Sequence, residues 1–480
     1  MISLKKNIFF STVLTVSNYI FPLLVFPYVS RVLGVHNIGV CNFIDSTINY
    51  YILFSMMGMN IIGIREIASA RNDRRRLDET FSGLFYLNTI STTVILIILI
   101  SSIYYVPKFY QYKELMYIGA LKLMFNYLLI EWLYKGLEEF KYITIRSIIV
   151  KAIYVIAVFI FVREENDYPV YFSLMVGTVI VNAIINIWHS RKYTSLLIEK
   201  LKLKSFIRPF FILGLYSLLT SMYTSFNVIF LGFVAGETEV GFYTTATKLY
   251  SIILALFTAF SGVMLPRMSS LVKDGKLDEF KNLANKSIDG LLAFSMPLLV
   301  ISVVFAPQII NVIAGEGYSG AILSMRIIMP LLFIIGYEQI LVVHMLMPLK
   351  SDKIIFRNSI VGAVIGIILN ILLVPLLKSI GSAIVWVSCE VVILILSQYA
   401  VNRKMEVFFP FKKLLLNILY AIPPFLLCCF LLKAIPSPII LLGLGGSFTV
   451  IYFFIVQYYF IKNELVVSVL AKFVKRIYNS

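Results

Sequence analysis

Residues 71–105 read RNDRRRLDETFSGLFYLNTISTTVILIILISSIYY. The charged run ends at Glu79, and no charged side chain occurs from Thr80 to Tyr105. A helix that crosses a bilayer needs about 20 predominantly apolar residues, and loops that stay in the cytoplasm are enriched in Lys and Arg. The segment therefore predicts a membrane-spanning helix that starts at a basic cytoplasmic loop.

The same pattern recurs along all 480 residues. Hydrophobic residues make up 60% of the chain and charged residues 14%, and the mean hydropathy is +0.90. Soluble domains carry about 25% charged residues, so this composition indicates a protein whose solvent is lipid. Apolar windows bounded by charges predict an all-α integral membrane protein with about fourteen transmembrane helices. They lie near 8–30, 39–62, 80–105, 115–135, 142–162, 168–189, 207–234, 241–265, 287–306, 321–347, 354–376, 379–401, 411–433 and 437–461.

Basic residues fix the expected orientation. Every second connection is rich in Lys and Arg, and most of the 42 basic residues lie on that side. The positive-inside rule then places both termini in the cytoplasm. The first apolar run continues to about Tyr28 without a small-residue cleavage site, so we expect a retained first helix. The net charge of +17 is read as a topology signal, and nucleic acid is not an expected partner.

Two halves of the chain resemble each other at an offset of about 202 residues. GVHNIG at 34–39 corresponds to GETEVG at 236–241, and LDE at 77–79 corresponds to LDE at 277–279. Each half contains six predicted spans, so the two halves have the same orientation in the membrane. Parallel repeats of this kind occur in known transporters, in which the substrate path lies between the halves and rocking of the halves gives alternating access. We predict two parallel six-helix lobes, 1–200 and 201–403, followed by two additional transmembrane helices in 404–480.

The sequence does not indicate an enzyme. Three histidines and four cysteines show no metal-ligand spacing, and no phosphate-binding loop or Ser/His/Asp arrangement occurs. The connections between spans are too short for a catalytic domain outside the membrane. We therefore expect a non-enzymatic transporter that uses no metal and no cofactor.

Several motifs resemble the polysaccharide exporters of the MOP (multidrug/oligosaccharidyl-lipid/polysaccharide) flippase superfamily, the Wzx-type O-antigen and capsule flippases. They are FPYVSRVLG at 26–34, followed by Gly39 and Asn42-Phe43, then GIREIA at 63–68, EWLYKGLEEFKY at 131–142, GFY at 241–243 and PRM at 266–268. The resemblance extends over essentially the whole chain and is clearest over residues 1–150. It implies a MATE-like fold and translocation of undecaprenyl-pyrophosphate-linked oligosaccharide from the cytoplasmic to the periplasmic leaflet of the bacterial inner membrane.

The resemblance also bears on partners. Besides the bilayer and the lipid-linked substrate, a polysaccharide polymerase and a chain-length regulator are expected partners, and the transporter itself is expected to be a monomer. The sugar unit, the choice between O-antigen and capsule, and the coupling ion are left open.

Ionisable side chains inside the spans are the candidate site residues, because a charge in a bilayer is costly unless it is paired or hydrated. Asp45, Lys122, Lys248 and Arg326 lie roughly 8–10 Å from the outer boundary at the helical rise, and Arg31 lies at the outer end of the first helix. We predict that the four cations bind the pyrophosphate. Asp45 and Lys248 occupy nearly equivalent repeat positions, and as a neutral pair they would leave Arg31, Lys122 and Arg326 in excess. The alternative is that these cations only snorkel to the interface.

Three further charged residues lie deeper in their spans. Lys151, Glu338 and Glu390 are predicted to line the cavity or to take part in coupling, and the alternative is that they form interhelical structural pairs.

Four other positions receive a structural or mechanical interpretation. Glu131 is predicted to be interfacial, and Asp289 to stabilise the N-terminus of its helix. Pro22 and Pro27 are the predicted hinge of the first helix, although a proline in a membrane helix can also be a tolerated kink.

Other functions compete with the flippase. A drug/cation antiporter of the same superfamily needs a carboxylate deep in its substrate lobe, and the first helix has none, although Asp45 could substitute. A lipid II flippase would share the fold and the cationic cavity, but the motifs of the first 150 residues favour the polysaccharide branch. A membrane glycosyltransferase or polymerase needs a long outer catalytic loop, which this sequence lacks.

Overall fold

The computed structural model describes residues 4–197, 203–464 and 467, and this part of the chain is helical with no β-strand. Single turns of 3-10 helix occur at Tyr127–Leu129 and Glu165–Asp167, and π-helical turns at Ile340–Leu346 and Val456–Phe460. The all-α prediction is confirmed. The α-helices are α1 Leu4–Met56, α2 Met59–Ala70, α3 Arg74–Tyr105, α4 Pro107–Gln111, α5 Lys113–Asn126, α6 Glu131–Gly136, α7 Phe140–Phe161, α8 Tyr168–Ser190, α9 Leu203–Thr224, α10 Phe226–Ala235, α11 Glu237–Lys273, α12 Leu277–Val304, α13 Ala306–Ala314, α14 Ala321–Ile328, α15 Leu331–Gln339, α16 Asp352–Met405, α17 Phe411–Ala434 and α18 Pro438–Ile455.

Twelve helices in the described ranges are long and apolar enough to cross a membrane. Two of them, α1 with 53 residues and α16 with 54, contain a residue with non-helical backbone angles, Gly34 and Lys378 respectively. A straight helix of that length would measure about 80 Å, far more than the roughly 30 Å of a bilayer's hydrocarbon core. Each is therefore two consecutive spans, and the count of about fourteen is confirmed.

Four predicted spans are interrupted, and the freed backbone groups at two of the breaks find partners inside the protein. At the first break, the amide N–H of Gly58 donates to the carbonyl of Phe210 at 3.1 Å. At the second, Ile130 adopts a left-handed conformation with φ 37°, and the side-chain amide of Asn186 donates to the carbonyl of Leu129. Irregular backbone is tolerated at membrane depth only where such partners exist. The interrupted spans are 39–62, 115–135, 207–234 and 321–347, broken near 57–58, 127–130, 225 and 329–330.

The chain forms two compact units, Met1–Thr244 (unit 1) and Thr245–Ser480 (unit 2). The predicted lobe boundary at 200/201 and the final residues of the predicted segment 404–480 lie outside the described residues. The division into lobes of 1–200 and 201–403 therefore stays a prediction, based on the helix count and the repeat.

In unit 1, two of the motifs that carry the family resemblance pack against each other. A Cβ added to Gly63 on α2 would lie 2.7 Å from Trp132 on α6, and one added to Gly136 would lie 2.7 Å from Ile67. Trp132 is 1% exposed and Ile67 is fully buried. Helices in lipid gain little from the hydrophobic effect and associate through close packing of small residues. The α2–α6 contact is of this kind, and it supports the region that holds Glu131.

In unit 2, the same principle brings the helices together around α12. This helix packs against α15, α17 and α18, while α14 and α15 pack against α16. A Cβ on Gly336 of α15 would lie 2.4 Å from Leu291 of α12. The close approach of α15 to its neighbours positions Glu338, which lies two residues further along.

The two copies of the repeated motif have the same local structure. Gly34 (φ 72°, ψ 169°) and Gly236 (φ 90°, ψ 174°) share a backbone conformation that is strained for any residue with a Cβ. The structural equivalence supports the repeat at an offset of about 202 residues.

Candidate functional site

An ion pair joins α1 and α5 inside unit 1. Asp45 and Asn49 lie on one face of α1, since they are four residues apart. The ammonium of Lys122 on α5 lies 2.7 Å from Oδ1 of Asp45 and donates to Oδ1 of Asn49 at 2.8 Å. Asn49 in turn donates to Oδ2 of Asp45 at 3.0 Å. The side chains of Lys122 and Asp45 are 14% and 20% exposed, so the pair is accessible without facing open surface.

This pairing corrects one expectation. Lys122 is expected from the sequence to be a cation in excess, whereas its ammonium pairs with Asp45 because α1 and α5 pack side by side.

Arg31 lies on α1 one turn after Pro27. Its Nη1 donates to the carbonyl of Pro27 at 2.5 Å, and the side chain is exposed. Pro22 and Pro27 both lie inside α1, and the residue with non-helical angles in this helix is Gly34. The hinge role of the two prolines concerns motion and stays a prediction.

Lys151 on α7 donates a hydrogen bond to Oδ1 of Asn18 on α1. Both residues line a polar cavity of about 310 Å³ within unit 1. Glu131, Lys135 and Arg146 line the same cavity, and the role of Lys151 in transport or coupling stays a prediction. We refer to this space as the unit 1 cavity.

Arg146 is the site residue that sequence reasoning missed. Its side chain is only 4% exposed, and Nη2 lies 3.2 Å from Oε1 of Glu131. The other carboxylate oxygen of Glu131, Oε2, lies 3.0 Å from the ammonium of Lys135. Nη1 donates to Oδ1 of Asn186, the amide that also bonds the Leu129 carbonyl. Arg146 was overlooked because it lies near the start of a predicted span, where an arginine ordinarily reaches the interface. Glu131 could have indicated a partner for Arg146, because it carries the opposite charge and lies near the cytoplasmic end of the preceding span.

In unit 2, the structure brings together the two glutamates predicted from the sequence. The carboxyl groups of Glu338 on α15 and Glu390 on α16 lie close to each other. Oε1 of Glu390 also accepts from the indole N–H of Trp386 at 3.0 Å, and Glu390 is 3% exposed. Two carboxylates this close repel each other when both are ionised.

The other unit 2 candidates lie on different helices. Arg326 on α14 is exposed, and its Nε donates to the carbonyl of Val303 at 3.0 Å. Lys248 is half-buried on α11. Asp289 pairs with Lys413 at 2.7 Å. Since α12 begins at Leu277, Asp289 lies well inside the helix, and the expectation that it stabilises the helix N-terminus is wrong.

Between the spans of unit 1, a further ion pair ties α4 to the start of α11. The ammonium of Lys108 lies 3.0 Å from Oε1 of Glu237 and also donates to the carbonyl of Gly232. Burial and the nearby Glu237 carboxylate raise the pKa of Tyr112. Glu237 is the second residue of the second motif copy, so these contacts fix the position of that copy.

Solved structures with the same fold are membrane transporters. A structure of lipid II flippase MurJ in an inward closed conformation matches with a TM-score of 0.75 at 16% identity, over 95% of this chain and 98% of that one. An inward-facing multidrug resistance MATE family transporter of the MOP superfamily matches with a TM-score of 0.62 at 12% identity, over 80% and 94% of the two chains. At these identities the likeness shows the fold, and it confirms the MATE-like expectation.

Curated relatives carry transporter names. A candidate O-antigen transporter of Escherichia coli strain K12 is 26% identical over 394 residues, which are 81% of this chain and 94% of that protein. A candidate O-antigen transporter of Shigella dysenteriae is 28% identical over 413 residues, 83% and 100% of the two chains. These names agree with the expectation of a non-enzymatic transporter. Residues 4–272, more than half of the chain, match the family described as polysaccharide biosynthesis protein, and the chain therefore belongs to this family.

Proposed function

We propose that the protein is a flippase that moves undecaprenyl-pyrophosphate-linked oligosaccharide repeat units from the cytoplasmic to the periplasmic leaflet. The translocated unit would supply the synthesis of a surface polysaccharide, O-antigen or capsule. Family membership and the O-antigen transporter relatives support this substrate class.

The observation that carries the proposal is an excess of positive charge in and near the spans of unit 1. A pyrophosphate is repelled by the bilayer core, and cations placed along its path offset that cost. The charged groups described above in unit 1 are six cations and three carboxylates, a net charge of +3. They are Arg31, Lys108, Lys122, Lys135, Arg146 and Lys151, with Asp45, Glu131 and Glu237.

The transport cycle follows from the repeat and from the glutamate pair. Alternating access of the two predicted lobes, with bending of the first helix at Pro22 and Pro27, would expose the cations to each leaflet in turn. In unit 2, Glu338 and Glu390 are the coupling residues of the cycle, because two carboxyl groups this close can exchange a proton during transport. Lys248 and Arg326 are the further cations that bind the pyrophosphate.

The cellular setting follows from the same proposal. The protein is a multi-pass membrane protein, and we place it in the bacterial inner membrane with both termini in the cytoplasm. It acts as a monomer, alongside a polysaccharide polymerase and a chain-length regulator that use its product.

The test is an extraction of polyprenyl-linked intermediates from cells with and without the protein, combined with staining of surface polysaccharide. If the block lies at flipping, a completed lipid-linked repeat unit accumulates and surface polymer is lost. Re-expression of the wild-type chain restores both. Normal levels of the lipid-linked intermediate in the absence of the protein would reject the flippase proposal.

A second candidate function is a drug/cation antiporter, and the Glu338–Glu390 pair is the observation in its favour, since exchange of a proton for a cationic substrate requires such a carboxyl. The excess of cations in unit 1 counts against a cationic substrate. If the protein is an antiporter, cells that lack it would show altered sensitivity to cationic dyes together with normal levels of lipid-linked intermediates.

A further inference from the structure

The unit 1 cavity has a charge imbalance of its own. The described residues that line it include three cations and one carboxylate, which leave a net charge of +2: Lys135, Arg146 and Lys151, with Glu131. Ser147 and Asn182 add neutral polar groups to the lining. A cavity of this charge inside membrane-spanning helices is unfavourable unless an anion occupies it for part of the working cycle.

The contacts of the three cations preserve this imbalance. Glu131 is shared by Lys135 and Arg146, at 3.0 and 3.2 Å. Lys151 is held by a neutral amide, Oδ1 of Asn18, and the Nε of Arg146 is buried without a hydrogen-bond partner. One carboxylate thus compensates one of the three charges while neutral groups hold the remaining contacts, which is the arrangement of a preorganised anion site.

The size and depth of the cavity fit a diphosphate. Its volume of about 310 Å³ corresponds to roughly ten water molecules at liquid density, which leaves room for a diphosphate with part of its hydration shell. Its lining extends along α7 from Phe140 to Lys151, about 16 Å at the helical rise. Lys135, whose side chain is 32% exposed, lies at the end that we assign to the cytoplasm.

We propose that the unit 1 cavity is a loading site, in which Lys135, Arg146 and Lys151 bind the diphosphate of the lipid-linked substrate on the cytoplasmic side. The substrate assignment rests on the proposed function, whereas the anion site rests on the geometry alone. The same cations would also accept the phosphate of an anionic phospholipid, so the experiment must separate the two sources.

The probe is inorganic pyrophosphate, titrated by calorimetry into the full-length protein in phosphatidylcholine nanodiscs. Lys135→Gln and Lys151→Gln each remove one charge-assisted contact and are expected to weaken binding about tenfold. Lys141→Gln is the matched control, because it removes the same charge from α7 at an exposed position outside the cavity lining, and its affinity should equal that of the wild type. Glu131→Gln raises the net charge to +3 and should tighten binding, a change that partial misfolding does not produce.

The outcomes separate the two proposals. If pyrophosphate does not bind, or if Lys151→Gln binds as tightly as the wild type, the loading site is rejected while the flippase proposal stands. If lipid-linked intermediates do not accumulate without the protein but binding follows the expected pattern, the anion site stands and the flippase proposal fails. If replacing phosphatidylcholine by phosphatidylglycerol in the nanodiscs abolishes pyrophosphate binding to the wild type, the cavity holds a phospholipid headgroup, which overturns its role in loading.

Discussion

The side-chain amide of Asn42 donates a hydrogen bond of 3.0 Å to the hydroxyl of Thr244, which lies 202 residues further along the chain. The ring of His36 contacts the hydroxyl of Thr238 at 3.3 Å with the same separation. This number is the offset of the sequence repeat, so equivalent positions of the two motif copies touch each other. Such self-matching contacts are the mark of two-fold symmetry at an interface. The repeat is therefore also a contact surface inside unit 1.

The closest point of this surface predicts the effect of a single methyl group. A Cβ at Gly39 would lie 1.8 Å from the carbonyl oxygen of Glu237, and one at Gly241 would lie 2.3 Å from that of Val35. Gly39→Ala should therefore separate the motif copies and cost about 1–3 kcal/mol, seen as a lower melting temperature of the purified protein. Gly177→Ala on α8, where no heavy atom lies within 4 Å, is the control and should melt at or slightly above the wild-type temperature. Equal melting of Gly39→Ala and the control would contradict the contact.

The Asp45–Lys122 pair predicts a double-mutant outcome. Removal of either charge leaves its partner uncompensated in a largely enclosed position, so Asp45→Asn or Lys122→Gln should each destabilise the protein by about 1–3 kcal/mol. The exchange Asp45→Lys with Lys122→Asp should recover most of that loss. The comparison pair is Asp289–Lys413, whose lysine side chain is 46% exposed, and its disruption should cost about 1 kcal/mol or less. Thermal unfolding of the two single variants and of the double variant Asp45→Asn with Lys122→Gln gives the coupling, and strict additivity would show that the pair is not coupled.

The sequence was sufficient for the features that depend on composition and local pattern. Apolar windows predicted about fourteen spans, and polar loop residues such as Gly34 and Gly236 revealed the repeat. It was not sufficient for the helix breaks, because the breaks near Gly58 and Ile130 are stabilised by distant partners, the Phe210 carbonyl and the Asn186 amide. Helical spacing within one span cannot reveal such partners.

The candidate site was predictable to a similar extent. An ionisable residue inside a span is visible in the sequence, and Glu338 and Glu390 were both identified in this way before the fold brought them together. The partner of each charge depends on which helix faces pack, so Lys122 was left unpaired and Arg146 was overlooked. The sequence gives the depth of a charged residue along its helix. It does not give the rotation of that helix about its axis, which decides the neighbour that the side chain faces.

Three cations of the candidate set predict a loss of function without a loss of folding. Arg31→Glu, Lys248→Glu and Arg326→Glu should each reduce export of surface polysaccharide at least about tenfold, because a repulsive charge replaces one charge-assisted contact to pyrophosphate. Membrane insertion, measured by the amount of full-length protein in the membrane fraction, should be unchanged. Lys433→Glu is the control, since Lys433 is an exposed cation at the predicted outer end of α17 and lies outside the candidate set. Export that survives all three reversals would reject the cationic path.

The Glu338–Glu390 pair predicts a separation of stability from transport. Glutamine keeps the shape and the hydrogen-bonding oxygen of glutamate but cannot exchange a proton, so Glu390→Gln can still accept from the indole of Trp386. We expect Glu338→Gln and Glu390→Gln to melt like the wild type and to lose export, because in the proposed cycle a proton exchanged at the two carboxyl groups drives transport. Asp289→Asn, which removes a carboxylate paired with Lys413, is the matched control and should retain export. The measurement is surface polysaccharide per cell at equal protein levels, and full export by both glutamine variants would make the pair a structural contact between α15 and α16.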